Sequence, residues 1–207
     1  MEASEVLQMG RRERNKLANR QSILNAGLKV FATIGYDAAT ISDIVKLSDL
    51  SVGTFYNYYG DKDSVFAELV EGLLARCRVV LAEARANATS FEDFLGDAFK
   101  ACSRIMFENE EMKLLIVNNT QAFRGFVFGG DGIHTVFAEM EADIETAIAQ
   151  GLLPPFPVRL AVFAMIGAGA EVLAADAKNE SVSYDAKAQF LTDLFVGGIR
   201  HIASKTT

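Results

Sequence analysis

The stretch TISDIVKLSDLSVGTFYNYYGDK, Thr40 to Lys62, decides the fold. Thr40-Ile41-Ser42-Asp43 has the form of a capping box, in which the Thr hydroxyl and a carboxylate three residues on satisfy orphan amides. It predicts a short helix with Ile44, Val45 and Leu47 as its apolar face. Ser48-Asp49-Leu50-Ser51 reads as a tight turn ending in a Ser N-cap, and a second short helix is expected from Val52 to about Tyr58. By propensity that helix is poor, with Gly53 in its first turn and β-branched or aromatic residues throughout. Gly53 permits close backbone approach to a sugar-phosphate, Thr54 and Tyr56 offer hydroxyls to phosphates, and Asn57 can bond base edges. The competing reading is a packed aromatic core helix. Phe55 and Tyr59, four apart, suit that core and leave Tyr56 and Asn57 turned elsewhere.

Working outward, a basic helix precedes the motif, expected from about Arg12 to Ile34 and closed by Gly35 as a left-handed cap. Asp61 caps a long fourth helix reaching Arg85 or beyond. Further helices are expected near Phe91 to Phe107, Met112 to Phe123, Ile133 to Gln150, Arg159 to Asp176 and Ala186 to Ser204. Gly129 to Gly132 and Gly151 to Pro157 punctuate them, and Lys178 to Ser183 reads as a polar linker. Turn-separated alternating runs are missing, so the chain reads as all-α. A helix, a tight turn and a short helix behind a basic helix is the geometry that sets a recognition helix in a major groove.

The net charge of −7 looks unsuited to nucleic acid until it is divided along the chain. Residues 11–62 carry eight basic and five acidic side chains, +3, leaving −10 for the rest, so the attractive surface is confined to the N-terminal segment. The basic run from Arg11 to Arg20 is either a solvated helix face or an arm that contacts phosphate. Half of the residues are hydrophobic, which at helical spacing leaves apolar surface to bury and hints at oligomerisation. The polar opening from Met1 to Lys16 is expected to carry no signal peptide, and the longest apolar run, Leu160 to Ala170, is too short for a bilayer; a cytoplasmic location without membrane partners is expected. Cys77 and Cys102 lack metal-ligand spacing and read as reduced thiols in packed helices. No metal or other cofactor is expected.

Gly35-Tyr36, Thr40-Ile41-Ser42-Asp43-Ile44, and Ser51 through Tyr59 followed by Lys62 together resemble the signature of TetR-family repressors, over about Arg14 to Phe66. The resemblance implies an N-terminal three-helix helix-turn-helix domain, residues 1–62, and a C-terminal helical effector-binding and dimerisation domain, residues 63–207. It implies that Thr40 and Ser42 touch phosphate or the groove edge and that Val52, Gly53 and Thr54 face the bases. Tyr56 and Lys62 would hold phosphates, Tyr58 would pack on the DNA backbone, Asn57 would reach a base or phosphate, and Phe55 would be core. Asp49 departs from the family's preference for Gly in the turn, at some conformational cost that Asp tolerates better than most residues.

The resemblance further implies a homodimer built from the last two helices, whose Ala164, Gly167, Gly197 and Gly198 permit close approach, although both helices could instead pack within a monomer. It also implies an effector cavity among the middle helices, where phenylalanines favour an apolar or amphipathic ligand such as an acyl compound or aromatic acid. Arg104, Asn118, Asn119, Gln121, Arg124 and His134 are the polar candidates to orient it, each alternatively a surface or capping residue. The function expected is a ligand-responsive repressor that binds palindromic operator DNA. A helical-bundle enzyme, or a non-DNA ligand-binding protein with a vestigial helix-turn-helix, is the alternative; His134 and His201 lack sequence-adjacent catalytic partners, so no enzyme is expected.

Overall fold

The computed structural model describes residues 10–151, 153–175 and 181–205; the N-terminal arm before Gly10 and the first half of the 178–183 linker lie outside them. Ten helices and no strand occur among the described residues: α1 Arg11–Ile34, α2 Ile41–Ser48, α3 Val52–Tyr56, α4 Lys62–Asn87, α5 Phe91–Met106, α6 Glu110–Asn118, α7 Thr120–Gly129, α8 Asp131–Ala149, α9 Val158–Ala174 and α10 Tyr184–Ala203.

The short helices begin where side chains can cap them. Asp43 N donates to Thr40 Oγ1 at 3.3 Å while Thr40 N donates to Asp43 Oδ2 at 3.0 Å. Ser51 Oγ accepts from Thr54 N at 3.1 Å, and Asp61 Oδ1 from Ser64 N at 2.7 Å. Asp49, between α2 and α3, is left-handed at φ 57° and ψ 23°, the turn that the sequence requires there. Phe31, Ile44, Phe55, Val65 and Phe66 are fully buried and weld α1 to α4 into one core. Gly27 is required by that weld: a Cβ would sit 2.7 Å from Val65 Cγ1.

One stripe of α4, comprising Phe66, Val70, Leu73, Cys77, Leu81 and Ala84, stays buried along the whole helix, first against α1 and then against the C-terminal helices. α4 turns through residues 88–90 into α5, which packs against α10, and α10 packs against α9.

Four expectations about elements need correction. Gly35 has φ 84° but ψ 155°, so it ends α1 in an extended glycine-only conformation and not as a left-handed cap. The recognition helix stops at Tyr56, with Asn57 and Tyr58 already in a turn. The helix expected from Met112 to Phe123 is two helices broken at Asn119, whose side chain is drawn into a tertiary contact described below. Of the four residues expected to separate α7 from α8, only Gly130 lies outside a helix.

Candidate nucleic-acid interface

α3 presents one face to the core and one to solvent. Phe55 is fully buried and Tyr59 nearly so, as their spacing predicts, while Val52 is 52% and Tyr56 55% exposed and Gly53, Asn57, Thr40 and Ser42 are open to solvent. Thr54 is half-buried, its hydroxyl 2.8 Å from that of Ser51. The corner behind α3 is fixed by polar contacts. Tyr59 donates to Glu68 Oε2 at 2.9 Å, and Arg20 reaches the same oxygen at 2.7 Å and the Tyr59 hydroxyl at 3.4 Å. Burial pushes the Tyr59 phenol up to about 12, keeping it a donor. The exposed face is therefore carried on a helix that cannot roll.

Arg11, Arg12 and Lys16 are exposed on the first turns of α1. Arg12, Lys16 and Asn19 line, with Asn57 and Tyr58, an open hollow of about 600 Å³ beside the end of α3. Asn19 Nδ2 donates to the Tyr58 hydroxyl at 3.3 Å, so Tyr58 forms the floor of that hollow. The basic helix start and the recognition helix thus share one surface, where positive charge can meet phosphates flanking a groove.

Lys62 is placed differently from the phosphate role that the resemblance implies. Its ammonium donates to the carbonyls of Tyr36, Ala39 and Asp37 at 2.7, 3.0 and 3.3 Å, and lies 4.7 Å from the Tyr36 ring centroid. An ammonium has three donors. All three are spent on the turn between α1 and α2, so Lys62 is a clamp on that turn.

The middle-helix polar candidates do not converge on a cavity. Arg104, Gln121 and His134 are exposed, and Arg124 pairs with Glu171 on the surface. Asn118 donates to the Ala32 carbonyl at 2.9 Å. Asn119 is buried: its Oδ1 accepts from Tyr36 N at 2.5 Å, and its Nδ2 donates to the carbonyls of Phe31 at 2.9 Å and Leu115 at 2.7 Å. Both asparagines bind the end of α1 to the α6–α7 break, which periodicity could not have shown.

A cavity of about 520 Å³ does exist, at the other end of the molecule, between the end of α4, the start of α5, α8 and α10. Phe91, Phe94, Ile144, Leu153, Val196 and Ile199 line it, and charged pairs stand around them. Arg200 pairs with Glu92, and Arg85 Nε lies 2.6 Å from Asp143 Oδ2 but off the hydrogen-bonding axis. Burial outweighs Arg85 and holds the Asp143 carboxyl above the usual range. Beyond it, Leu160, Phe163, Phe190 and Leu194 leave α9 and α10 with large exposed apolar side chains. No helix among the described residues is long and apolar enough to cross a membrane.

A capped two-helix unit with a solvent-facing second helix, buttressed by a basic first helix, defines a helix-turn-helix DNA-binding protein. Residues 23–69 match the family model described as bacterial regulatory proteins, tetR family. YhgD of Bacillus subtilis (strain 168), an uncharacterized HTH-type transcriptional regulator, is 24% identical over 155 residues, 71% of this chain and 78% of that protein. The fatty acid degradation regulator FadR from Bacillus halodurans shares the fold with TM-score 0.75 at 19% identity, over 88% of this chain and 96% of that one. FadR from Bacillus subtilis, solved in complex with stearoyl-CoA, gives TM-score 0.75 at 17% identity, over 86% of this chain and 98% of that one. The match over residues 23–69 and the shared fold make the chain similar to TetR-family transcriptional regulators.

Proposed function

We propose that the protein is a ligand-responsive repressor that binds a palindromic operator as a homodimer and is released by a small amphipathic effector. The observation that carries this reading is the exposed face of α3, where Val52, Gly53 and Tyr56, with Asn57 in the turn that follows, stand exposed on a helix locked from behind by Phe55 and the Arg20–Tyr59–Glu68 contacts. Val52, Gly53 and Thr54 meet bases; Thr40, Ser42, Tyr56 and Asn57 meet phosphates or groove edges; Tyr58 supports the backbone contact from the hollow. Residues 1–62 form the DNA-binding unit, in the cytoplasm where operators are met, and residues 63–207 the regulatory one.

Leu160, Phe163, Phe190 and Leu194 support pairing of α9 and α10 across a two-fold axis, since so large an apolar face is costly in water. The two recognition helices then read half-sites about 34–36 Å apart. The effector is assigned to the 520 Å³ cavity, with an apolar body against Phe94, Ile144 and Val196 and a polar head among Arg85, Arg200, Thr89 and Ser90. A fatty acyl or aromatic acid fits that division, and the FadR complex with stearoyl-CoA is a precedent for the fold. Ion pairing of the cavity's charges supports binding over catalysis.

The test is selection of bound sites from random duplex DNA at fixed salt, followed by Tyr56→Ala on the recovered site. A palindromic consensus is expected, with affinity lowered about tenfold or more by the substitution, as for loss of about 1–3 kcal/mol of contact, at unchanged melting temperature. No enriched sequence, or equal binding by Tyr56→Ala, overturns the reading.

A further inference from the structure

α4 and α5 form an antiparallel hairpin closed by residues 88–90. Cys77 lies ten residues before the end of α4 at Asn87, and Cys102 eleven residues after the start of α5 at Phe91. The register of the hairpin therefore sets one cysteine across from the other. They are the only two cysteines of the chain, and both are free thiols, Cys77 buried and Cys102 half-buried. Packed helices with axes about 8–10 Å apart bring facing Cα atoms to about 3.4–5.4 Å, overlapping the span of about 4.4–6.8 Å that a disulfide bridges.

The two thiols are unlike. The neighbouring Cys102 thiol, helped by Arg76, holds the Cys77 thiol below its ordinary value, whereas the neighbouring Cys77 sulfur and burial hold Cys102 above. Cys77, the more acidic thiol but a buried one, is thus the attacking sulfur once a small peroxide reaches it, and Cys102, half-buried and still protonated, the resolving partner.

We propose that Cys77 and Cys102 are a redox-responsive dithiol which a hydroperoxide closes to an intramolecular disulfide, fixing α4 against α5 and resetting operator affinity. The Cys77 thiolate attacks the terminal peroxide oxygen, the O–O bond breaks, and the alcohol, or water from hydrogen peroxide, leaves with the proton. The resulting sulfenic acid at Cys77 is attacked by the Cys102 sulfur; the S–S bond forms and water departs. Two thiols are oxidised by two electrons and one peroxide is reduced. The effect on DNA rests on the repressor reading, because α4 starts at the Lys62 clamp of the DNA-binding unit and its far end lines the cavity.

The experiment uses the full chain, reduced or treated with stoichiometric hydrogen peroxide. Alkylation with N-ethylmaleimide and peptide mass spectrometry follow the thiols, and fluorescence anisotropy follows binding to the selected operator. Expected are a linked Cys77–Cys102 peptide, loss of alkylation at both residues, and a change in operator affinity within about 5–150-fold, the usual range of coupling between sites, all reversed by dithiothreitol. Cys77→Ala and Cys102→Ala, small substitutions suited to helices, are expected to bind operator as the reduced protein does and to ignore peroxide. Persistent alkylation of both thiols after peroxide overturns the proposal, and so does a disulfide that leaves affinity unchanged. Failure of the reduced protein to bind any duplex counts against the repressor reading instead, and the mass spectra still decide whether the disulfide forms.

Discussion

Replacing Asn119 by Ala strips three hydrogen bonds from the junction between the DNA-binding unit and the rest of the molecule. Tyr36 N–H loses the acceptor it meets at 2.5 Å, while the Phe31 and Leu115 carbonyls lose donors at 2.9 and 2.7 Å. The Phe31 carbonyl keeps a second donor, Gly35 N at 3.2 Å. An unsatisfied buried amide costs about 1–3 kcal/mol and each lost bond about 0.5–1.5 kcal/mol, so the sum is about 3 kcal/mol. For a chain of this size each kcal/mol lowers the melting temperature by about 2–4 °C, a fall of about 6–12 °C. Thermal unfolding followed by circular dichroism reads it, with the exposed Asn118→Ala as a control expected to lose about 1 kcal/mol. Asn119→Asp keeps the shape but turns an oxygen toward two carbonyls, so its carboxyl is held above the ordinary value of about 3.9 in the folded state. Its penalty must therefore grow as pH rises through that ordinary value. A fall of less than about 2 °C for Asn119→Ala, below what loss of even one kcal/mol predicts, would refute the assignment of Asn119 as the clasp.

Lys62→Ala should cost about 2 kcal/mol by freeing three carbonyls, yet leave the salt dependence of DNA binding unaltered; a salt slope lower by about one would restore Lys62 to a phosphate contact. Asp61→Ala should cost about 1 kcal/mol through loss of the α4 cap. Because the Ser64 amide holds the Asp61 carboxyl below its ordinary range, this contribution is complete above about pH 4 and fades as pH falls through the lowered value; acid unfolding of wild type and Asp61→Asn should diverge in that window. Leu160→Asp combined with Phe190→Asp should yield monomers in sedimentation velocity without loss of helix signal, and a persisting dimer would place the interface elsewhere.

What could be read from the sequence was what neighbours along the chain decide. Thr40 with Asp43, Ser51 with Thr54 and Asp61 with Ser64 each complete a cap within three residues, so the short helices and the left-handed Asp49 were legible. The break at Asn119 was not, because apolar spacing runs unbroken from Met112 to Phe123 and the cause of the break is a pair of backbone groups more than eighty residues upstream. Lys62 misled for a similar reason: a cation beside a recognition unit is chemically suited to phosphate, and only tertiary structure reveals carbonyls already holding it. The cavity gathers Arg85, Phe91, Asp143 and Ile199 from four separate helices, a set without any local spacing, whereas Arg104, Gln121, Arg124 and His134 point outward.

Two connections of different mechanical character join the cavity to the DNA-binding unit. α4 is continuous from Lys62 to Asn87, about 39 Å at 1.5 Å per residue. Its contact with α1 is apolar at the centre, through Gly27, Val65 and Phe66, with Arg20 hydrogen-bonded to Glu68 at the edge. The Asn119 clasp is directional, and its three bonds fail within less than about 1 Å of displacement. On the proposed reading, a ligand wedged between Arg85 and Ile199 moves the DNA-binding unit most cheaply by swinging α4 while Tyr36 and the end of α1 stay fixed to Asn119. Because the Lys62 ammonium holds the Tyr36 carbonyl at 2.7 Å, that swing turns the DNA-binding unit about the Asn119 clasp and does not slide it. In a dimer both recognition helices move, and the rigid groove spacing of about 34 Å turns that displacement into a register error on the operator. On this mechanism Asn119 is the pivot and α4 the lever. A weakened pivot should therefore cost ligand control of operator affinity before it costs operator affinity itself.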